Sequence, residues 1–333
     1  MSEAPALPGA SALVHPREQS LFVLLLIFSV SIWLLLALSI VGLFYALLLG
    51  VAAWFGAGLL AAQLRSEAVE VTPSQMPELH TALLEVCRTL GQAVVPRLYV
   101  LQAGGALNAF AMRHSGRNFV AVFSDMLEAY GADTPEMRFV LGHEVGHIRR
   151  NHILRFLALF PGLMFPLVGP AYRRACELTC DRFGMAACGD AQAAATAMMI
   201  LTGGKYAGRA MSPEVFAAQH RSERGFFVSW HELTSWYPTL SRRVTELLAA
   251  GAGATPTPVG RHPLAYRFAT LTPGIGGGGG GALVAVAVVA MLAVIAVPSF
   301  LRARERALER QATHAEVPSE SAGSVGTEPG SEQ

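Results

Sequence analysis

The sequence predicts an α+β, mainly helical domain with a small antiparallel sheet, set between an N-terminal transmembrane hairpin and a C-terminal transmembrane helix. Three observations carry this. Residues 21–64 contain no charged side chain, residues 282–301 contain none either, and the stretch between them mixes charges with Pro and Gly as a globular domain does. Hydrophobic residues make up 52% of the chain and charged ones 15%, and their segregation into blocks favours a membrane protein over a well-packed soluble one. The net charge of +1, with no basic patch interleaved with aromatics, argues against nucleic acid as a partner.

As a single helix, residues 21–64 would run about 66 Å against a hydrocarbon core of about 30 Å. Two spans, 21–39 and 43–62, joined by a turn at 39–42 and preceded by a tail at 1–20, fit that length. A signal peptide is the competing reading, and the run is too long for one.

The domain occupies 65–272. Residues 98–102, 107–113 and 118–124 are short β-rich runs. Asp133, Thr134, Pro135 and Glu136 combine an N-cap candidate at Asp133, a first-turn proline and an acidic residue three positions on. They start a helix expected to run through HEVGH to about His152. Residues 153–168, with Pro161 and Pro166, are short for a span and read as a buried or interfacial connection. A helix over 173–187 follows, ending near Gly189. The glycines at 276–281 lie in a linker at 273–281, the last span takes 282–301, and the tail at 302–333 is basic, then acidic and disordered. The four cysteines read as small buried residues with free thiols.

Residues four apart on a helix stand on one face a turn apart, so His143 and His147 can offer two imidazole nitrogens to one cation, with Glu144 beside them. The competing reading is two surface histidines without a metal. A catalytic zinc takes three protein ligands and keeps one position open, which calls for a third donor downstream. Glu177, in RRACELTCDRFG, supplies it, and Asp181, one turn on, can hydrogen-bond a ligating imidazole. A surface carboxylate paired with Arg173 or Arg174 is the alternative for Glu177, and an ordinary i,i+4 partner the alternative for Asp181. His152 follows His147 by five and is expected to point away from the metal face.

HEVGH followed by ELTCD resembles the gluzincin pattern and, in detail, the HtpX and CAAX prenyl endopeptidase family of integral membrane metallopeptidases. The resemblance runs from Pro73 to about Leu248. It implies a gluzincin fold, one zinc ion per chain held by His143, His147 and Glu177, and zinc-dependent endopeptidase activity in which Glu144 activates water. LNAFA at 107–111 resembles the family's substrate strand, which makes Asn108 and Ala109 contacts for a peptide bound as an added strand. The family carries His-Pro before a late arginine-containing helix, whereas this chain reads WYPTLSRRV. The oxyanion donor is then Tyr237 or a displaced equivalent at His262 and Pro263, the competing reading being a structural Tyr or His without that role.

The implied substrate is a polypeptide, a membrane or misfolded protein cleaved at the lipid bilayer in quality control. A catalytically silent zinc-binding assembly factor, closed by Cys176 or Cys180, and a prenyl-protein endopeptidase are the alternatives. The resemblance implies a bacterial inner membrane and a cytoplasmic catalytic domain. Arg302, Arg304, Arg306 and Arg310 after the last span instead make the tail cytoplasmic and the domain external.

Overall fold

Uninterrupted apolar sequence gives two long helices, α1 (Pro16–Ala37) and α2 (Ile40–Glu67), both long and apolar enough to cross a membrane. The turn between them sits at Leu38 and Ser39, where the Ser39 hydroxyl accepts from the Gly42 N–H at 3.2 Å and caps α2. α1 begins before the apolar run, so Arg17 and Glu18 belong to its first turn.

The computed structural model describes residues 11–272 and positions 304, 305 and 308. The chain divides into two units, Met1–Ala282 and Leu283–Gln333, and the first is described here. The expected linker at 273–281 and span at 282–301 lie outside the described residues, as does the tail at 302–333 apart from those three positions.

After α2 come β1 (Val69–Glu70), α3 (Pro77–Thr89), β2 (Arg97–Leu101), β3 (Ala109–His114), β4 (Arg117–Phe123), α4 (Ser124–Tyr130) and α5 (Pro135–Arg149). The short helices α6 (His152–Ala158) and α7 (Phe160–Leu163) lead into α8 (Val168–Cys188). They are followed by α9 (Ala191–Ala210), α10 (Pro213–Ser222), α11 (Phe226–Thr234), α12 (Leu240–Gly251) and α13 (Pro263–Thr270).

The sheet is mixed, not antiparallel as expected. Its order is β1-β2-β4-β3, with β2 and β4 parallel and the other pairs antiparallel. The reason is the path of the chain: β3 and β4 form a tight hairpin through Ser115 and Gly116, and the loop at 102–108 carries β3 past β4 to the edge. Val120 and Val122 then face the core with Leu98, while Tyr99, Phe119 and Ala121 pack against Ala61 and Leu64 of α2.

Two expectations about α5 need correction. Thr134, not Asp133, is the N-cap: its hydroxyl accepts from the Met137 N–H at 3.2 Å, while Asp133 is drawn off to Arg138. The helix also ends at Arg149, because Asn151 adopts a left-handed conformation (φ 53°) that Asn tolerates better than most residues.

α5 and α8 pack closely because glycines line their seam. A methyl group added at Gly184 would lie 2.6 Å from the Phe139 carbonyl, and one at Gly142 would lie 2.9 Å from the Gly184 Cα. At Gly146 it would come within 3.3 Å of the Cys180 Cα. Such backbone approach places α8 side chains directly beside the HEVGH turn. α8 closes with Gly189 in the left-handed region, the C-cap its sequence anticipates. The connection at 153–168 packs along α1: the Trp33 indole donates to the Ala158 carbonyl at 2.8 Å, and Phe28 stacks on Phe165 with centroids 4.7 Å apart. The four cysteines are free, and all but Cys188 are buried.

Candidate metal centre

His143 and His147, one turn apart on α5, turn their Nε2 atoms to within 3.3 Å of each other. The Glu177 carboxylate arrives from α8, its Oε2 at 3.4 Å from His143 Nε2 and its Oε1 at 3.6 Å from His147 Nε2. One ligand atom from each of the three lies within 4.8 Å of the others. Two imidazoles and a carboxylate at this spacing suit a borderline cation such as zinc. Among the described residues, two further groups have donors as close together, His147 with His152 and Cys180, and Glu18 with His152 and Cys176.

The electrostatics point the same way. Burial lowers the His147 pKa to about 3. Burial also opposes a charge on His143, but hydrogen bonds to Asp181 and Glu177 outweigh it and raise its pKa to about 10. The carboxylates around His143 thus favour a proton on its ring, which a cation bound there would displace. Burial likewise opposes ionisation of Glu177, yet His147 and His143 hold its carboxyl well below the usual range.

Asp181 lies one turn beyond Glu177, and its Oδ1 meets His143 Nδ1 at 2.9 Å. Arg243 of α12 braces that carboxylate from both sides, Nη2 to Oδ1 at 2.5 Å and Nε to Oδ2 at 2.8 Å. All three side chains are buried.

His152 lies off the face that His147 turns to the other donors and packs behind its ring. The left-handed turn at Asn151 swings α6 back, so that its Nδ1 stands 3.2 Å from His147 Nδ1 and its Nε2 3.3 Å from Glu18 Oε1. Residues 143, 144 and 147 open onto a cleft of about 660 Å³. One wall is Asn108 to Ala111, at the edge strand β3 and the residue before it, and Tyr237, Pro238 and Arg173 contribute to the other sides. Glu144 is buried there, and desolvation pushes its pKa up to about 7. His262 is not among the lining residues: its backbone N–H donates to Ser229 at 3.0 Å and its ring packs edge-on against Phe226.

Residues 73–169 match the model of Peptidase family M48. The match contains His143, Glu144 and His147 and ends before Glu177. Over 152 residues the chain is 29% identical to the plastoglobule-localized metallopeptidase 48, chloroplastic, of Arabidopsis thaliana, covering 41% of this chain and 43% of that one. The chain thus spans under half the length of this relative. No solved structure matches the chain.

Arg243, His152 and Glu18 were not assigned to the site from sequence. For Arg243 the signal was the SRRV turn after Tyr237. For Glu18 it was a carboxylate at the mouth of an apolar helix, a position that demands a partner.

Proposed function

We propose that this protein is a membrane-anchored zinc-dependent endopeptidase. The observation that carries the reading is the convergence of His143, His147 and Glu177 beside Glu144 in a cleft walled by an edge strand. The M48 match and the metallopeptidase relative support it.

His143, His147 and Glu177 would hold the zinc and leave one side open to the cleft. When bound, zinc acts as a Lewis acid that lowers the pKa of water to about 7 and polarises the scissile carbonyl. Glu144, whose burial poises its carboxylate near neutrality, takes the proton from the attacking water and passes it to the leaving amine. β3 has one unpaired edge toward the cleft, and a substrate peptide adds there as a strand, with Asn108 and Ala109 as contacts. Tyr237, half-exposed in the cleft wall, donates its phenol to the oxyanion. Asp181 fixes the tautomer and orientation of His143.

The two apolar helices hold the domain at a bilayer, and membrane or misfolded polypeptides are the substrates that position favours. A bacterial inner membrane with a cytoplasmic active site stays part of this proposal. A closed structural zinc site, for which His147, His152 and Cys180 also lie close together, has less support, because Glu144 would have no task in it.

The test compares the purified full chain with Glu144→Gln for zinc content and for cleavage of an unfolded protein. The variant is expected to bind one zinc per chain and to cleave at least about a hundredfold more slowly. Unchanged cleavage would refute the mechanism.

A further inference from the structure

A ligating imidazole needs its second nitrogen fixed, because a free ring rotates and exchanges tautomers. His143 has Asp181. His147 instead faces another imidazole, and two ring nitrogens 3.2 Å apart hydrogen-bond only if one carries a proton and the other a lone pair. With Nε2 of His147 turned to the metal donors, its proton sits on Nδ1 and His152 Nδ1 accepts. The His152 proton then lies on Nε2, which points at Glu18 Oε1, 3.3 Å away. The tautomers close into one chain from the metal group to a carboxylate on the first apolar helix.

We infer that Glu18 is a positioning residue of the metal centre, holding His147 through His152, so that α1 is part of the metal site as well as an anchor. The inference rests on the function proposed above.

Glu18 is fully buried, which is strongly unfavourable for a carboxylate unless compensated. Compensation is built in around it. Arg150 donates to Oε1 at 2.8 Å, Arg155 at 3.3 Å, and Thr179 donates to Oε2 at 2.5 Å while accepting from the His15 N–H at 2.9 Å. Thr179 lies on α8 between Glu177 and Asp181, so the helix that completes the donor group also fixes Glu18. A simple ion-pair staple would explain Arg150 and Arg155 but not the buried His152 aligned between Glu18 and His147. A second cation held by Glu18, His152 and Cys176 is disfavoured, because the oxygen facing His152 already takes two guanidinium groups. The Cys180 thiol, 3.5 Å from His152 Nδ1, is the weaker rival for that lone pair.

The experiment measures zinc Kd by chelator competition on the full chain in detergent, with d–d spectra of the cobalt-substituted protein. Glu18→Ala and His152→Ala are each expected to weaken zinc binding about tenfold or more, and the double variant no further than His152→Ala alone. Glu18→Gln keeps an acceptor oxygen and is expected to lose less, with a shifted cobalt band. Arg155→Ala removes one ion pair and the stacking on Phe22 without touching either imidazole, and is expected to bind zinc like the wild type.

An unchanged Kd in Glu18→Ala overturns the inference, as do additive losses or an Arg155→Ala loss as large as that of Glu18→Ala. Should Glu18→Ala not fold, a wild-type cobalt band in Glu18→Gln overturns it. A wild-type chain that binds no zinc removes the function it rests on and is recognised before any variant is read.

Discussion

His143 and His147 present matching nitrogens to one point but are backed from different parts of the molecule. Behind His143 stand Asp181 of α8 and Arg243 of α12. Behind His147 stand His152 and then Glu18, which belongs to an apolar helix at the other end of the sequence. The first arm depends on how α5, α8 and α12 pack. The second depends on α1 being in place. The packing of α5, α8 and α12 and the seating of α1 therefore reach the two imidazoles through separate side chains.

Breaking the first arm has the largest expected effect. Arg243→Ala strands the Asp181 carboxylate in a buried site and is expected to cost about 3–5 kcal/mol, measured by denaturant unfolding. Arg243→Lys restores charge without the two-pronged geometry and recovers only part of the loss.

Acid tests what carries α12. Burial opposes the charge on Glu232, but its hydrogen bonds and ion pairs with Arg261, together with Arg242, lower its pKa to about 2. These contacts tie α11 and the segment before α13 to α12. A carboxyl depressed from 4.5 to about 2 stabilises the fold above pH 4.5 and loses that contribution as pH falls through 2. At neutral pH it is worth roughly 3 kcal/mol. Glu232→Gln is expected to flatten the stability profile between pH 4.5 and 2, and an unchanged slope there would separate this cluster from the first arm.

A wedge between α5 and α8 acts on the same arm with less force. Gly142→Ala is expected to destabilise by about 1–3 kcal/mol and to weaken zinc binding by pushing Asp181 from His143. The two smallest effects serve as controls. Thr134→Ala removes the α5 cap, costs about 1 kcal/mol in thermal unfolding and leaves zinc affinity unchanged. Asp133→Ala, at a surface pair, changes stability by less than about 0.5 kcal/mol.

The same division separates what the sequence made legible from what it did not. His143, Glu144 and His147 fall within one helical turn, and Glu177 and Asp181 within another, so spacing alone was informative about which side chains share a face. Arg243 and Glu18 could not be found that way, because their roles depend on packing across distant segments. His152 is off the metal face, as its spacing indicates, but its contact with the back of His147 depends on the left-handed break at Asn151, which spacing does not reveal. Asp133 and Thr134 are equivalent as cap candidates by type, and Arg138 nearby claims the aspartate. Strand positions followed from β-rich runs, but the parallel pairing of β2 with β4 depends on where a loop carries the chain. The two N-terminal helices were legible because nothing in residues 21–64 is charged.

Zinc K-edge X-ray absorption on the full chain probes the open zinc centre proposed for His143, His147 and Glu177. The predicted result is one zinc per chain in a shell of nitrogen and oxygen donors that includes two imidazoles, with zinc lost in Glu177→Ala. A sulfur donor at about 2.3 Å, or zinc retained without Glu177, would contradict it.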